Sequence, residues 1–253
     1  MMGGKMVESA VAEGLVDHPL NYFDRIQVIN LRSRTDRRQE MASEFRRIRF
    51  DLGRIEWFDA VKPADRGEFE SIGARGCFLS HLAILQQNAE RPPERLLIME
   101  DDVSFSEDFM ARLSEIVEQL QRDRWDVFYG GGRVGEIDAV AAGLARVPQD
   151  MGIGCTHFLA IRGDRIGAVA DYLAAQLGRP AGDPAGGPMH VDGSYSWARK
   201  ELGLETLMAS PEIAFQRPSR SDIAQGQWWD RVPGLSELGA MARSVRNRLR
   251  KRG

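Results

Sequence analysis

Cysteine is nearly absent. Cys77 and Cys155 are two in 253 residues, too few for a disulfide framework, so reduced thiols and a cytoplasmic setting are expected. Long apolar runs are missing as well: nothing approaches the roughly 20 residues that a membrane-crossing helix needs. The stretch MMGGKMVESAVAEGLVDHPL is broken by Glu8, Glu13 and Asp17 and makes a poor secretory signal. With 28% charged and 43% hydrophobic residues, the composition excludes collagen, coiled coil and wholesale disorder, and the length fits one large domain with at most a small appendage. Net charge is small, −3, but unevenly spread. Residues 243–253 hold six basic side chains and no acid, leaving 28 basic against 37 acidic residues in the rest. An acidic body argues against nucleic acid as a partner, while the basic tail suits an anionic surface.

Pattern along the chain predicts alternating strands and helices. Residues 1–23 read as a loose arm. IQVINL (26–31) alternates and is β-branched, as a strand should be; residues 36–48 carry Met41, Phe45 and Ile48 on one helical face; residues 56–61 form a second strand. A short helix is expected over 80–88, with Leu82, Leu85 and Ile84 inward. RLLIM (95–99) is continuously apolar, the mark of a strand buried on both faces. A long helix is expected from Ser106 to about 121, strands over 125–129 and 156–161, a helix over 163–177, a Pro/Gly-rich loop, a helix over 192–202 and a strand over 205–208. This order predicts an α/β sandwich around a mainly parallel sheet. Sites in such sheets gather at the carboxyl ends of strands, where Glu100-Asp101-Asp102 falls.

In an extended strand end Glu100 and Asp102 would share one side. Two carboxylates so placed repel unless a cation lies between them, and hard divalent ions such as Mg²⁺ or Mn²⁺ take oxygen ligands of this kind. The plainer alternative is a solvated turn with Ser104 or Ser106 capping the next helix. Gly130-Gly131-Gly132-Arg133-Val134-Gly135 fits GxGxxG after a strand, and residues 136–146 pass for a helix, yet no strand ending in an acid follows; a flexible loop near the sugar or acceptor is the expectation. Cys77-x₃-His81 and Cys155-x-His157 offer zinc-ligand types, but neither spacing is that of a finger or ribbon, and zinc is not expected.

Four blocks in order carry a family resemblance. VINL (28–31) followed by Arg34, Asp36, Arg37 and Arg38, then IGARGCFLSH ending at His81, LLIMEDDV (96–103), and finally Val191-Asp192 with Ser221-Asp222-Ile223 resemble glycosyltransferase family 25, the lipopolysaccharide and collagen sugar-transferase family, over residues 24–224. The resemblance implies a GT-A-like nucleotide-sugar-binding fold and an inverting, metal-dependent sugar transfer to a saccharide or lipid-linked glycan. A UDP-sugar is the expected donor and Mn²⁺ or Mg²⁺ the expected cofactor. It implies Asp102 as metal ligand with Glu100, one of Glu100 and Asp101 meeting the donor, and Asp192 as base; Asp192 also reads as a helix N-cap, and His190 is an alternative base. Arg34 and Arg37 suit phosphate or a uracil-like base. Asn30 either contacts the nucleotide or satisfies the strand end. Ser80 and His81 either approach the sugar or pack. Arg217, Arg220, Ser221 and Asp222 either close over phosphates or lie on the surface. A non-catalytic binding protein is the rival reading.

Residues 225–253 form an extension. Within it AMARSVRNRLRKR (240–252) spaces Met241, Val245 and Leu249 as one helix face, fit for weak contact with the inner face of a membrane, and Trp228 and Trp229 serve either packing or a sugar platform.

Overall fold

A computed structural model describes residues 18–217, apart from residues 136, 138 and 142. Its elements are β1 (Arg25–Asn30), α1 (Thr35–Arg47), β2 (Ile55–Asp59), α2 (Ile72–Ala89), β3 (Arg95–Glu100), β4 (Val103–Phe105), α3 (Phe109–Arg122), β5 (Val127–Tyr129), β6 (Ala139–Ala141), β7 (Leu144–Val147), β8 (Phe158–Arg162), α4 (Gly163–Leu177), α5 (Val191–Glu201), β9 (Thr206–Ala209) and β10 (Ala214–Gln216). Arg220, Ser221, Asp222, the paired tryptophans and the basic tail lie outside the described residues.

Eight strands form one sheet in the order β2-β1-β3-β8-β5-β9-β7-β6, and β10 pairs with β4 in a separate two-stranded sheet. In the large sheet β8 and β7 run against the other six, so the expected α/β sandwich with a mainly parallel sheet is present. Alternation along the strands divides the core. Val28, Leu97 and Met99 face α1 and α3, where Met41, Phe45, Phe109 and Leu113 are buried. Ile29, Leu96 and Ile98 face α2, α4 and α5, against Phe78, Leu82, Val169 and Tyr195. Packing begins ahead of the expected boundary at residue 24, since Leu20 and Phe23 are fully buried.

Several local expectations need correction. The helix expected over 80–88 begins eight residues earlier, at Ile72, with the Ser71 hydroxyl accepting from the amide of Ala74. The added turns take in Gly73 and Gly76, and glycine suits position 76 because a β-carbon there would stand 2.8 Å from the Val61 carbonyl. Neither Ser104 nor Ser106 caps α3; its N-cap is Asp108, which makes no side-chain cap bond. The segment taken as a helix after the glycine run holds the antiparallel strands β6 and β7, which removes the dinucleotide reading.

Nor is the glycine run a flexible loop. The Gly130 carbonyl accepts from the amides of Ile213 and Ala214, and Arg133 and Gly154 bridge the next turn. A β-carbon at Gly131 would come within 2.1 Å of the Ala214 carbonyl, and one at Gly130 within 2.5 Å of Phe158. Close backbone approach of β10 therefore selects glycine. Gly131→Ala is expected to destabilise the protein by about 1–3 kcal/mol through overpacking, read as a lower urea midpoint with an unchanged m-value.

Candidate functional site

Parallel strands β1 and β3 end side by side, and their terminal residues build the site. Because Ile29 pairs with Glu100, Asn30 stands beside the turn that follows β3. Glu100 continues the face of Leu96 and Ile98, toward α2, and its Oε1 accepts from the Thr156 hydroxyl at 2.8 Å. Asp101 points to the α1 face. There the Asn30 amide donates to its Oδ2 at 2.7 Å and Arg37 donates to its Oδ1 at 2.8 Å. The chain then turns, so the expected single side for Glu100 and Asp102 does not hold in simple strand geometry. Asp102 Oδ2 lies 3.7 Å from the Arg37 guanidinium and accepts from Gln216 at 3.4 Å. Arg217 straps the turn from outside, donating to the carbonyls of Asp101 and Val103 while its amide donates to that of Asp102.

Asp102 is the uncompensated member of the triplet. Its side chain is buried, and Oδ1 has no hydrogen-bond partner. Burial, then the charges of Glu100 and Asp101, push its carboxyl up to about 7, against the pull of Arg37 and Gln216. Glu100 goes the other way. Burial opposes its charge, but His81 and Thr156 hold it below the usual carboxylate range. A divalent cation would supply what Asp102 lacks, and the oxygen donors of Asp102 and Glu100 suit Mg²⁺ or Mn²⁺. The unpartnered oxygen of Asp102 therefore fits the expected metal.

The other expected residues divide into those drawn to this site and those used elsewhere. Arg37 is in it, whereas Arg34 caps the start of α1 and spends its guanidinium on Asp36 at the surface, at 2.7 Å. Ser80 is fully buried, donates to the Gly76 carbonyl and accepts from the Val61 amide, so it clasps α2 to the loop after β2 and offers no hydroxyl to a sugar. His81, one residue on, is fully buried and faces Glu100: Nδ1 is 3.2 Å from the Tyr195 hydroxyl and Nε2 is 3.8 Å from Glu100 Oε1. Asp192 is in the first turn of α5 rather than at its N-cap, which is His190. Its Oδ2 accepts from the amide of Cys155 and its Oδ1 from that of Gly193. Cys155 has φ of 73°, an uncommon conformation for a non-glycine residue, and the Asp192 contact supports that turn. His190 is exposed and pairs with Glu70 at 2.8 Å. Arg220 lies outside the described residues.

Sequence reasoning missed Thr156, Gln216 and the strap role of Arg217, which reach the triplet from distant segments, and Tyr195, which reaches His81. No spacing signal marks them. Cys77 and His81 were legible in kind but not in place: with α2 starting at Ile72 they sit one helical turn apart on one face.

These features define an α/β domain with a carboxylate-rich polar site where its parallel strands end. Residues 23–133 match the family model described as glycosyltransferase family 25 (LPS biosynthesis protein). Mouse procollagen galactosyltransferase 2 is 29% identical over 129 residues, 43% of this chain and 21% of that protein. Human inactive glycosyltransferase 25 family member 3 is 30% identical over 130 residues, 43% of this chain and 22% of that protein. The chain thus spans about a fifth of the length of these relatives. Among solved structures, a glycosyltransferase involved in glycosylation of the major capsid of PBCV-1 aligns over 79% of this chain and 96% of its own, at 11% identity and a TM-score of 0.47.

The Asp102 carboxyl predicts a pH signature. A folded-state value of about 7 against 3.8 for the free side chain means that the folded protein holds a proton the unfolded chain has released. The stability contributed by this group is full below pH 4 and is lost as pH rises to 7. In metal-free protein, Asp102→Asn is therefore expected to gain stability on the order of 2 kcal/mol at pH 8 relative to wild type, with no gain at pH 4, as measured by urea unfolding at both values.

Proposed function

We propose that this chain is a glycosyltransferase of GT-A-like architecture that moves a sugar from a nucleotide-sugar donor, a UDP-sugar, to a saccharide or lipid-linked glycan with inversion at the sugar carbon. The supporting observation is the turn after β3. There Asp101 is neutralised by Asn30 and Arg37, while Asp102, beside it, keeps a buried oxygen without a partner. Asp102 and Glu100 would hold Mn²⁺ or Mg²⁺, which when bound neutralises the charge that builds on a departing diphosphate. Arg37 gives the phosphates a fork-shaped donor. Arg34 would exchange its surface partner Asp36 for the donor.

Asp192 is the base in this reading. The acceptor hydroxyl oxygen forms its bond to the anomeric carbon on the face opposite the nucleotide. Its proton goes to the Asp192 carboxylate, and the bond to the diphosphate breaks with both electrons on the leaving oxygen. Both Asp192 oxygens already accept backbone amides, which fixes the carboxylate in place, and each oxygen retains a lone pair for the proton. The first turn of α5 favours the negative charge that Asp192 carries before it takes the proton. A cytoplasmic protein lying at the inner membrane face through residues 240–252 completes the proposal. Among the described residues no helix is long and apolar enough to cross a membrane.

The second reading, a non-catalytic nucleotide-sugar binder, draws support from relatives named as inactive family members. Both readings expect a UDP-sugar with Mn²⁺ to raise the melting temperature; saturation at 100 times the dissociation constant adds about 2.7 kcal/mol. Transfer separates them. Asp192→Asn is expected to keep the donor-dependent shift and to lower sugar transfer by about 10²–10⁴-fold. Undiminished transfer in that variant would dismiss Asp192 as base, and donor binding without transfer or donor hydrolysis in the wild type would favour the non-catalytic protein.

A further inference from the structure

Helix α2 presents two pairs of residues one turn apart. Gly76 and Ser80 hold the loop after β2; Cys77 and His81, rotated by one position, face Glu100. One ligand atom from each of Cys77, His81 and Glu100 lies within 4.8 Å of the others. We propose that these three side chains form a binding site for a thiophilic divalent metal of the Zn²⁺ class, distinct in chemistry from the hard-cation site at Asp102.

Geometry supports it at each ligand. His81 is fully buried, and its Nε2 has no hydrogen-bond partner, with Glu100 Oε1 standing 3.8 Å away. That separation suits two ligands of one ion, since bonds of about 2.0–2.2 Å from nitrogen and carboxylate oxygen to zinc place the two atoms between about 3 and 4 Å apart. The opposite ring nitrogen, Nδ1, meets the buried Tyr195 hydroxyl at 3.2 Å, the kind of outer partner that fixes the tautomer and aim of a metal-ligating imidazole. Glu100 is held by the Thr156 hydroxyl. Half-buried Cys77 brings the soft ligand.

Ligand type separates this site from its neighbour. Thiolate and imidazole select zinc, cobalt and cadmium, whereas carboxylate oxygens alone suit magnesium and manganese. The site does not rest on sugar transfer. If the transfer reading also holds, Glu100 belongs to both sites, and a soft metal at Cys77 and His81 contends with Mn²⁺ for that carboxylate.

The test is a Co²⁺ titration of the full chain, stripped with chelator and kept anaerobic. A near-ultraviolet sulfur-to-cobalt band saturating at one ion per chain and removed by Zn²⁺ is expected. It should vanish in Cys77→Ser, persist in Cys155→Ser and Asp102→Asn, and require about tenfold or more additional Co²⁺ in His81→Gln. Circular dichroism and melting of each variant confirm folding. Absence of the band in folded wild-type protein, or its survival in Cys77→Ser, would overturn the proposal. Loss in Asp102→Asn would merge the two sites and overturn their distinctness. A failure of UDP-sugars to bind leaves this readout untouched.

Discussion

Charge gathered at the end of a buried strand must be compensated where it stands, and Glu100, Asp101 and Asp102 impose that requirement at the end of β3. The fold meets it from three directions. On the α1 face Asn30 and Arg37 bind Asp101; on the α2 face Thr156 and His81 attend Glu100; across the turn, Arg217 takes up the backbone carbonyls. The pairing of β4 with β10 brings Gln216 and Arg217 to the triplet, and the glycine at 131 lets β10 approach closely enough. Each neighbour thus has a position set by the carboxylate it serves. Asp102 alone keeps an oxygen without a partner, and burial makes that deficit costly.

Such an arrangement is poised for a positive ligand. A fully satisfied triplet would be inert structure, and a solvent-exposed one would be screened. Here one carboxylate is held ionised and its neighbour is pushed toward neutrality, so the pair differs in proton affinity although the residues are nearly adjacent. The same end of the sheet gathers the first turn of α5, with Asp192 fastened to the Cys155 turn, and the buried face of α2 that carries His81. Reactive side-chain types from these separate segments converge on one end of the sheet, as expected where strands of an α/β fold terminate.

Much of the frame was legible in the sequence because its signals are local. The β-branched alternation of β1, the unbroken apolar run of β3 and the helix at 163–177 each follow from pattern alone, and the acidic triplet fell at the strand end where it was expected. What stayed hidden depends on contacts between distant segments. The first two turns of α2 escaped the sequence reading; local propensity disfavours glycine in helices, while packing against Val61 requires it at Gly76. That error placed Cys77 outside the helix, so the Cys77-x₃-His81 pair was judged against finger and ribbon spacings and not as two positions one helical turn apart. Strands β4, β6, β7 and β10 are three or four residues long, too short for periodicity to declare. The partners of Asp101 and Asp102 come from residues 30, 37, 216 and 217, a convergence that only topology creates.

The central claim is that Asp102 is a cation seat. Its most direct test is Mn²⁺ binding to the chelator-stripped chain at pH 8, followed by electron paramagnetic resonance of the free ion, in wild type and Asp102→Asn. The account predicts saturable binding of one ion at Asp102 in wild type, weakened by about tenfold or more in the variant, equivalent to about 1.4 kcal/mol. Equal Mn²⁺ affinity in the two proteins, both folded, would contradict it.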